Sequence, residues 1–571
     1  MKVGNGGSLA GRSQLENQAA LERTRDASSP RVNVCLFAGT AVQWFLGLTP
    51  EHRAEQRGFL MSALPVAPFL DLSSFLSHLE HTGRLRRVSK SVEKDWEIAC
   101  LARWAMESTP EKDSYALLFE NVKNQSVPVA VNLFSTPEMY GAALGVHSDE
   151  LLIAWAKALD RAYKPVEVAN GPVFDVIRTD SQLSLLKLPA PIWTPGRDGG
   201  PYLSAASVIT KDPDTGIQNM GIYRMQIHDQ NHVGLSFGSK LQHGAIHYSK
   251  YSKRQLPMPV AAVIGAPPVI TFAAAAKTAY GVDEMEIAGG LAGSALQVVR
   301  GKTVDLAVPA QAECVIEGFV RCDSLRMEGP FGEVLGYLNQ SSPAPVVDVT
   351  AIYHRAAPVH HGYVQQMPPS DGHLVMEMGF LGPLWFYLTR KLGLKGVRNL
   401  AIARGSASLA ILVAQIEKAH VSESARIGRA LAKFNLGQKF IYLVDEDIDI
   451  RDQETLNWAL SSRVDPERDI EFIKDFPTFQ YDPSTLARAA KDGRELGAPP
   501  YPSSVAIVNA TVKCAVPEIS LPGRSVMFKA LENWGETGLP PITPRKRLDR
   551  LLHTHSDPVP ASDQNFDSHQ G

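Results

Sequence analysis

From residue 61 onward the apolar positions of the chain follow two alternating spacings, and before it they follow neither. Recurrence at three and four residues predicts helices in "DWEIACLARWAMES" (95–108) and "DELLIAWAKALDRAY" (149–163). A further helix is predicted from Ser73 or Ser74 as cap through Leu79, with Gly83 ending it. "SYALLFENV" (114–122) and "VPVAVNLF" (127–134) read as short strands, so 61–170 is expected to form a small N-terminal α/β domain.

The pattern then changes to alternation broken by turns. "SAASVIT" (204–210) runs into "KDPDTG", then "IQNMGIYRMQIH" (217–228), the turn "DQNH" and "VGLSFG" (233–238). Asp-Pro and Thr-Gly supply turn geometry between β-rich flanks, which predicts an antiparallel meander. With further strands at 260–264, 269–273, 296–300, 313–320 and 346–353, residues 171–365 are expected to form an all-β barrel or sandwich. From 366 to 545 strands (396–403, 439–450) alternate with helices (406–419, 454–463), which predicts βαβ units and a parallel sheet. The fold class expected is multidomain α+β.

Composition and charge exclude several functions. The 571 residues carry 57 basic and 60 acidic side chains, a net charge of −3, so no basic field points to nucleic acid. Cys35, Cys100, Cys314, Cys322 and Cys514 are dispersed without a CxxC pair, which argues against a disulfide framework or zinc ribbon and fits a cytoplasmic protein. No apolar run reaches membrane-spanning length. Residues 1–60, polar and Gly/Ser-rich apart from an apolar stretch at 32–48, are expected to be a disordered or non-native extension and dispensable. Residues 546–571 are expected to be a flexible tail.

Candidate chemistry gathers in the β-rich region. "EGPFGE" (328–333) sets Glu328 and Glu333 on either side of a segment too short for regular structure. Asn219 and Arg224 are five residues apart, so an ideal strand turns them to opposite faces, and an irregularity near Gly221 is needed to bring both to one site. His228, His232, His243 and His247 show helical i, i+4 spacing but fall in text that reads as turn and strand, which weakens a zinc reading. Asp283, Glu284 and Glu286 head a helix-like segment, where acids favour the helix dipole and one is also a candidate hard ligand. The "DEDID" run (445–449) reads as solvated. Each signal alone is compatible with a purely structural role.

Taken in order, "DPDTGIQNMGIYRMQIHDQNHVGL" (212–235), "VDEMEIAGGLAG" (282–293) and "VPAQAECVIEG…EGPFGEVLGY" (308–337), supported by "KFIYLVDEDIDI…WALSSRVDPERD" (439–469), resemble the UbiD-like decarboxylases over about 61–540. The resemblance implies a central split β-barrel of the flavin-reductase type that binds prenylated FMN, and a C-terminal α/β domain (366–545) that dimerises. It implies reversible, non-oxidative decarboxylation of an aromatic or heteroaromatic, α,β-unsaturated acid through a covalent adduct with prenylated FMN. Asn219, His243 and Glu284 match the ligands of a divalent metal, Mn²⁺ or else Mg²⁺ or Fe²⁺, with K⁺ held nearby around Ala273–Ala276. Asn219, Met220, Gly221, Ile222, Tyr223, Arg224, Gln242, His243 and Glu284 match cofactor-contacting positions, and Lys439 a phosphate-binding lysine. Arg224, Glu328 and Glu333 match the catalytic set, with Glu333 as acid/base, placed further into an apolar pocket, and Glu328 as partner of Arg224. His360, His361, Met367 and Phe386 are candidates to line the substrate pocket, or else core. The partners implied are a small aromatic acid, a flavin prenyltransferase as cofactor supplier, and a second copy of the chain, as a homodimer or dimer-based hexamer, with 518–538 as the dimerising helix. An aromatic acyl-CoA thioester is the alternative substrate. A flavin reductase and a non-catalytic flavin-binding subunit are the rivals from other classes.

Overall fold

The computed structural model describes residues 67–434, 437–476, 482–493 and 502–554. The expected extension over 1–60 lies outside the described residues, as does most of the expected flexible tail, whose beginning, Lys546–Thr554, is helical. Helix Leu72–His81 is capped by Asp71, whose carboxylate accepts the Ser74 N–H, rather than by either serine, and Gly83 follows it at a φ of 71°. Strands Leu85–Val88, Ala116–Phe119 and Val129–Val131 form a small sheet, and His360–His361 adds to it as a fourth, buried strand.

The central sheet has nine strands: β1 (Val176–Thr179), β2 (Tyr202–Leu203), β3 (Ser207–Lys211), β4 (Gln218–Ile222), β5 (Met225–Ile227), β6 (His232–Leu235), β7 (Met258–Ile264), β8 (Cys314–Glu328) and β9 (Ser342–His354). Its order is β2-β5-β6-β9-β8-β7-β3-β4, with β1 beside β9, and every pairing is antiparallel. Strand β4 closes that order at one end and β5 stands next to last at the other, yet the two are separated only by Tyr223 and Arg224. The sheet must therefore curl until its ends approach, and Arg224 stands where the chain crosses.

Two helices pack against this sheet near the crossing, α1 (His243–Lys253) and α3 (Glu284–Ala292), with the short, wholly buried α2 (Pro268–Ala274) between them in the chain. Residues 269–273, expected as a strand, belong to α2. Val269, Ile270 and Thr271 favour strand by propensity, but Pro268 opens a helix naturally and burial on every side hides the period. His243 and His247 lie on α1, not in strand text as expected; the helix is polar along most of its length, so no apolar stripe marks it.

Helix α4 (Gly372–Phe386), apolar on nearly all sides, leads into a second sheet of order Val397–Ile402, Ile411–Ile416, Phe440–Asp445, Ser503–Ala510, Ile470–Phe476. Its two central pairings are parallel and its two edge pairings antiparallel, so it is mixed rather than parallel. Residues 406–419, expected as a helix, supply strand Ile411–Ile416; "ILVAQI" is almost wholly buried, and a run covered on both faces carries no period. The acidic run after Phe440–Asp445 is not solvated: Asp445 and Asp447 are buried, both bonded to Arg463. Among the described residues no helix is long and apolar enough to cross a membrane.

Candidate active site

Arg224 reaches both carboxylates of the turn that follows β8. Its Nε and Nη2 donate to Glu328 Oε1 and Oε2 at 2.8 and 3.0 Å, and its Nη1 donates to Glu333 Oε1 at 2.7 Å. The guanidinium also stands over the Phe331 ring, 5.4 Å from its centroid. The turn is held from behind: Asn339 Oδ1 accepts the Phe331 N–H at 2.6 Å, and a Cβ on Gly332 would come within 2.1 Å of the Gln365 carbonyl oxygen. Glycine is required there because another chain segment occupies the side-chain space.

The two glutamates differ in depth, and in the opposite sense to that expected. Glu328 is 1% exposed and paired through both oxygens, whereas Glu333 is 24% exposed and offers one oxygen to Arg224. Burial still raises the Glu333 pKa above the ordinary carboxylate value, against the pull of Arg224. Burial opposes the charge on Arg224, but its two carboxylates more than compensate and hold the proton tightly. The arrangement offers one fixed anion, one permanent cation, and one carboxyl able to hold a proton at an accessible edge.

A second cluster forms where β4 meets the first residues of α1 and α3. Asn219 Oδ1 lies 3.1 Å from His243 Nδ1, which is 3.9 Å from Glu284 Oε1. Glu284 is buried and accepts the Met220 N–H and the Thr278 hydroxyl, both at 2.7 Å. Burial pushes its pKa up to about 8, and burial together with the nearby Lys277 charge pushes His243 down to about 4. Asn219 Nδ2 is buried without a hydrogen-bond partner. An amide, a neutral imidazole and a carboxylate converging on one spot are an O/N donor set for a divalent cation, whose charge would favour the ionised Glu284 that burial alone disfavours. The residues present therefore fit the implied metal.

The other expected cofactor-contacting residues lie around this cluster. Met220 is buried, Ile222 half-buried, and Gln242 exposed at the start of α1. A Cβ on Gly221 would sit 2.7 Å from the Tyr223 ring, and Tyr223 Oη accepts the Gly244 N–H at 3.2 Å, tying the chain crossing to α1. Ala273–Ala276 form the last turn of α2 and the residues after it. Lys439 stands apart: its ammonium donates to Asp482 at 2.5 Å and Ser484 at 2.7 Å. Met367 is exposed, Phe386 buried in α4, and His247 bonds Thr210 rather than sharing a ligand with His243. Asp283 caps α3.

Sequence reasoning missed Tyr202, Gln226, Lys277 and Thr278. Tyr202 donates to Glu328 Oε1 at 3.0 Å, while Lys277 is exposed by area yet enclosed by protein, as a residue in a hollow would be. A signal was present for Tyr202, since Gly199 and Gly200 precede it. A Cβ on Gly199 would lie 2.2 Å from the Gly329 carbonyl oxygen, so the glycines mark a close approach to the 328–333 turn.

Three family models match consecutive parts of the chain. They are the N-terminal, Rift-related and C-terminal domains of 3-octaprenyl-4-hydroxybenzoate carboxy-lyase, over residues 76–159, 164–368 and 383–496. An uncharacterized protein of Archaeoglobus fulgidus is 32% identical over 446 residues, which cover 72% of this chain and 88% of that protein. The UbiD-class enzyme HmfF from Pelotomaculum thermopropionicum, solved with FMN, is 33% identical at a TM-score of 0.70, covering 79% of this chain and 98% of that one. Its evolved dimeric form, solved with prFMN, is 32% identical at a TM-score of 0.69, covering 80% and 97%. The open form of vanillic acid decarboxylase from Sedimentibacter hydroxybenzoicus is 25% identical at a TM-score of 0.69, covering 85% and 99%.

Proposed function

The chain belongs to the UbiD family and is a carboxy-lyase, and from that premise we propose that it decarboxylates an aromatic or heteroaromatic carboxylic acid with the help of prenylated FMN. The observation that carries the reading is the set Glu328–Arg224–Glu333, closed by bonds of 2.7 to 3.0 Å, on the same chain crossing as the Asn219–His243–Glu284 cluster. Relatives with related architecture include HmfF, solved with prFMN, and a decarboxylase of vanillic acid, an aromatic acid.

The loss of CO₂ from an unsaturated carbon leaves an electron pair without a sink, and prenylated FMN supplies that sink when bound. Asn219, His243 and Glu284 would hold a divalent cation, Mn²⁺ or a similar ion, which would hold the cofactor phosphate; Lys277 adds positive charge at the same place, and a nearby K⁺ would be held in part by backbone carbonyls around Ala273–Ala276. Arg224 stays charged throughout, keeps Glu328 ionised and sets the position of Glu333. Glu333 carries the proton, its raised pKa keeping the acid form populated, and delivers it to the carbon that has lost CO₂. A flavin reductase needs neither the paired glutamates nor the metal cluster, and a non-catalytic subunit has no use for Glu333 at an accessible edge.

The chain acts as a homo-oligomer on this reading. Helix Arg524–Glu532 has no buried residue, and its Val526 is 56% exposed, a face that a second copy would cover. Light scattering that gave the monomer mass of 62.2 kDa under dilute native conditions would refute it.

The deciding experiment is co-expression with a flavin prenyltransferase, followed by a screen of aromatic acids for CO₂ release. Release from at least one acid, with a modified-flavin spectrum and no NAD(P)H oxidation, is expected. A correctly loaded protein inactive on every acid, including CoA thioesters, would overturn the assignment.

A further inference from the structure

Glu284 opens α3, and two different elements hold its two oxygens. Oε2 accepts the Met220 N–H of β4 at 2.7 Å, and Oε1 accepts the Thr278 hydroxyl at 2.7 Å. Oε1 is also the oxygen that faces the cluster, 3.9 Å from His243 Nδ1. The Met220 bond alone would fix one oxygen and leave the other free to swing. The bond from Thr278 removes that freedom.

The loop between α2 and α3 fixes Thr278 in turn. On one side the Lys277 N–H donates to the Gly379 carbonyl of α4 at 2.9 Å, and a Cβ on Gly379 would run into the Ala275 carbonyl oxygen, so the loop lies directly on that helix. On the other side Tyr280 Oη donates to Asp212 Oδ2 at 2.6 Å, and Lys250 of α1 donates to both Asp212 oxygens at 2.9 and 2.8 Å. The Tyr280 ring stands perpendicular to His243, with 5.3 Å between centroids. Thr278 is half-buried between these two anchors, and its hydroxyl makes no other hydrogen bond among the described residues. Its β-branched side chain has little rotamer freedom of its own. Helix capping does not need this hydroxyl, because Asp283 caps α3 by accepting the Met285 N–H.

We propose that Thr278 is a positioning residue for the cation site: its hydroxyl aims Glu284 Oε1 at the spot shared with Asn219 and His243, so that the carboxylate is in place before a divalent cation arrives. Removing a partner that stands one bond behind a metal ligand typically costs about 10–100-fold in metal affinity. Pre-positioning has this effect because the carboxylate need not be ordered at the moment of binding. The inference rests on the reading of Asn219, His243 and Glu284 as that site.

The test is titration of Mn²⁺ into full-length protein, without flavin and again with FMN bound, with unbound Mn²⁺ read by electron paramagnetic resonance. Loss of binding in Glu284→Gln assigns the signal to the cluster. Thr278→Val keeps the shape and removes the hydroxyl, and should weaken Mn²⁺ binding by about 10–100-fold. Thr278→Ser restores the hydroxyl and should recover most of that loss. The rise in thermal midpoint that Mn²⁺ produces should shrink in Thr278→Val in step with the affinity. Tyr280→Phe removes a hydroxyl from the same loop, but one bonded to Asp212 and to no ligand; it should lower the metal-free thermal midpoint and leave Mn²⁺ affinity unchanged. If Thr278→Val does not fold, Thr278→Ala takes its place against Thr278→Ser. Unchanged affinity in Thr278→Val, no recovery in Thr278→Ser, or an equal loss in Tyr280→Phe overturns the proposal and leaves the cation site standing. Wild-type protein that binds no Mn²⁺ under either condition, or binding that survives Glu284→Gln, overturns the reading of the cluster and this inference with it.

Discussion

Arg224 and Arg463 each stand between two carboxylates among well-covered side chains, and on the proposed function only the first cluster is built for chemistry. In the second sheet Arg463 donates to Asp445 at 2.9 Å and to both oxygens of Asp447 at 3.0 and 2.5 Å, with the Trp458 ring 4.9 Å from the guanidinium carbon. The three side chains are about equally covered, at 9, 10 and 11% exposure, and Asp445 takes a further bond from the Val512 N–H. At Arg224 the coverage is graded, with one glutamate at 1% and the other at 24%. Glu333 gives one oxygen to Arg224 and has no further side-chain hydrogen bond among the described residues. The lesson is that an Arg–carboxylate motif becomes a proton-transfer site through unequal satisfaction. A fully bonded triad locks two elements together; a triad with one open carboxyl can give up a proton.

The largest expected effect tests that distinction directly. Glu333→Gln should retain flavin and metal but lose about 10²–10⁴-fold in CO₂ release, the usual range for a general acid. Asp447→Asn should leave activity within about threefold, because its effect is on stability rather than on a reacting group. An Asp447→Asn enzyme that is folded, loaded and inactive would erase the contrast, as would a Glu333→Gln enzyme with near-normal turnover.

The contrast reverses when stability is measured. Arg463→Ala leaves two buried carboxylates unpaired, and breaking such a pair costs about 3–5 kcal/mol, so a clear fall in the thermal midpoint is expected. Arg463→Lys should recover only part of it, because a lysine cannot make the two-pronged contact to Asp447. A midpoint unchanged in Arg463→Ala would show that the second cluster does not hold its sheet together.

The pH dependence sharpens the role of Glu333. Its pKa is raised in the folded protein, so the acid form persists to higher pH than for a free glutamate, and a rate that needs this proton falls as pH rises through the folded value. The sign for stability is the same. A raised carboxyl favours the folded state below the unfolded pKa, and that contribution is lost as pH rises through the folded pKa. In Glu333→Gln the alkaline limb of kcat should vanish and the stability profile should flatten over that interval.

That Arg224, Glu328 and Glu333 come together was legible from sequence because they lie in long ordered motifs, and the "EGPFGE" turn announces itself by having no room for anything but a turn. Its depth was not legible. Which glutamate is covered depends on Tyr202 and on Gln365, residues far away in the chain that the sheet's curl brings behind the turn. The same limit explains the "DEDID" run, whose burial depends on an arginine from the following helix. The strand at 411–416 and the helix at 268–274 were misread because elements covered on every side keep no hydrophobic period. The stretch "IQNMGIYRMQIH", read as one strand, is two, Gln218–Ile222 and Met225–Ile227, because the chain leaves one end of the sheet for the other at Tyr223 and Arg224, and continuous β-rich text does not show that break.

The smallest expected effect separates two lysines. Lys439, matched from sequence to a phosphate-binding residue, is held by Asp482 and Ser484 and has no contact with the Asn219 cluster. Lys277 stands beside that cluster, near enough for its charge to depress the His243 pKa, and neither a hydrogen bond nor an ion pair links its ammonium to another described residue. A cation in that position is available to a phosphate, and a charge-assisted bond of this kind is worth about 1.5–3 kcal/mol, or roughly tenfold or more in affinity. Lys277→Met should therefore weaken flavin retention by about tenfold, read by titrating FMN into the apo-protein. Lys439→Met should change it by less than about twofold and show instead as a modest loss of stability in the second sheet. If the two results came out the other way round, the loop bearing Asp482 would have to release Lys439 in the loaded enzyme, and the second sheet would then contribute to the cofactor site.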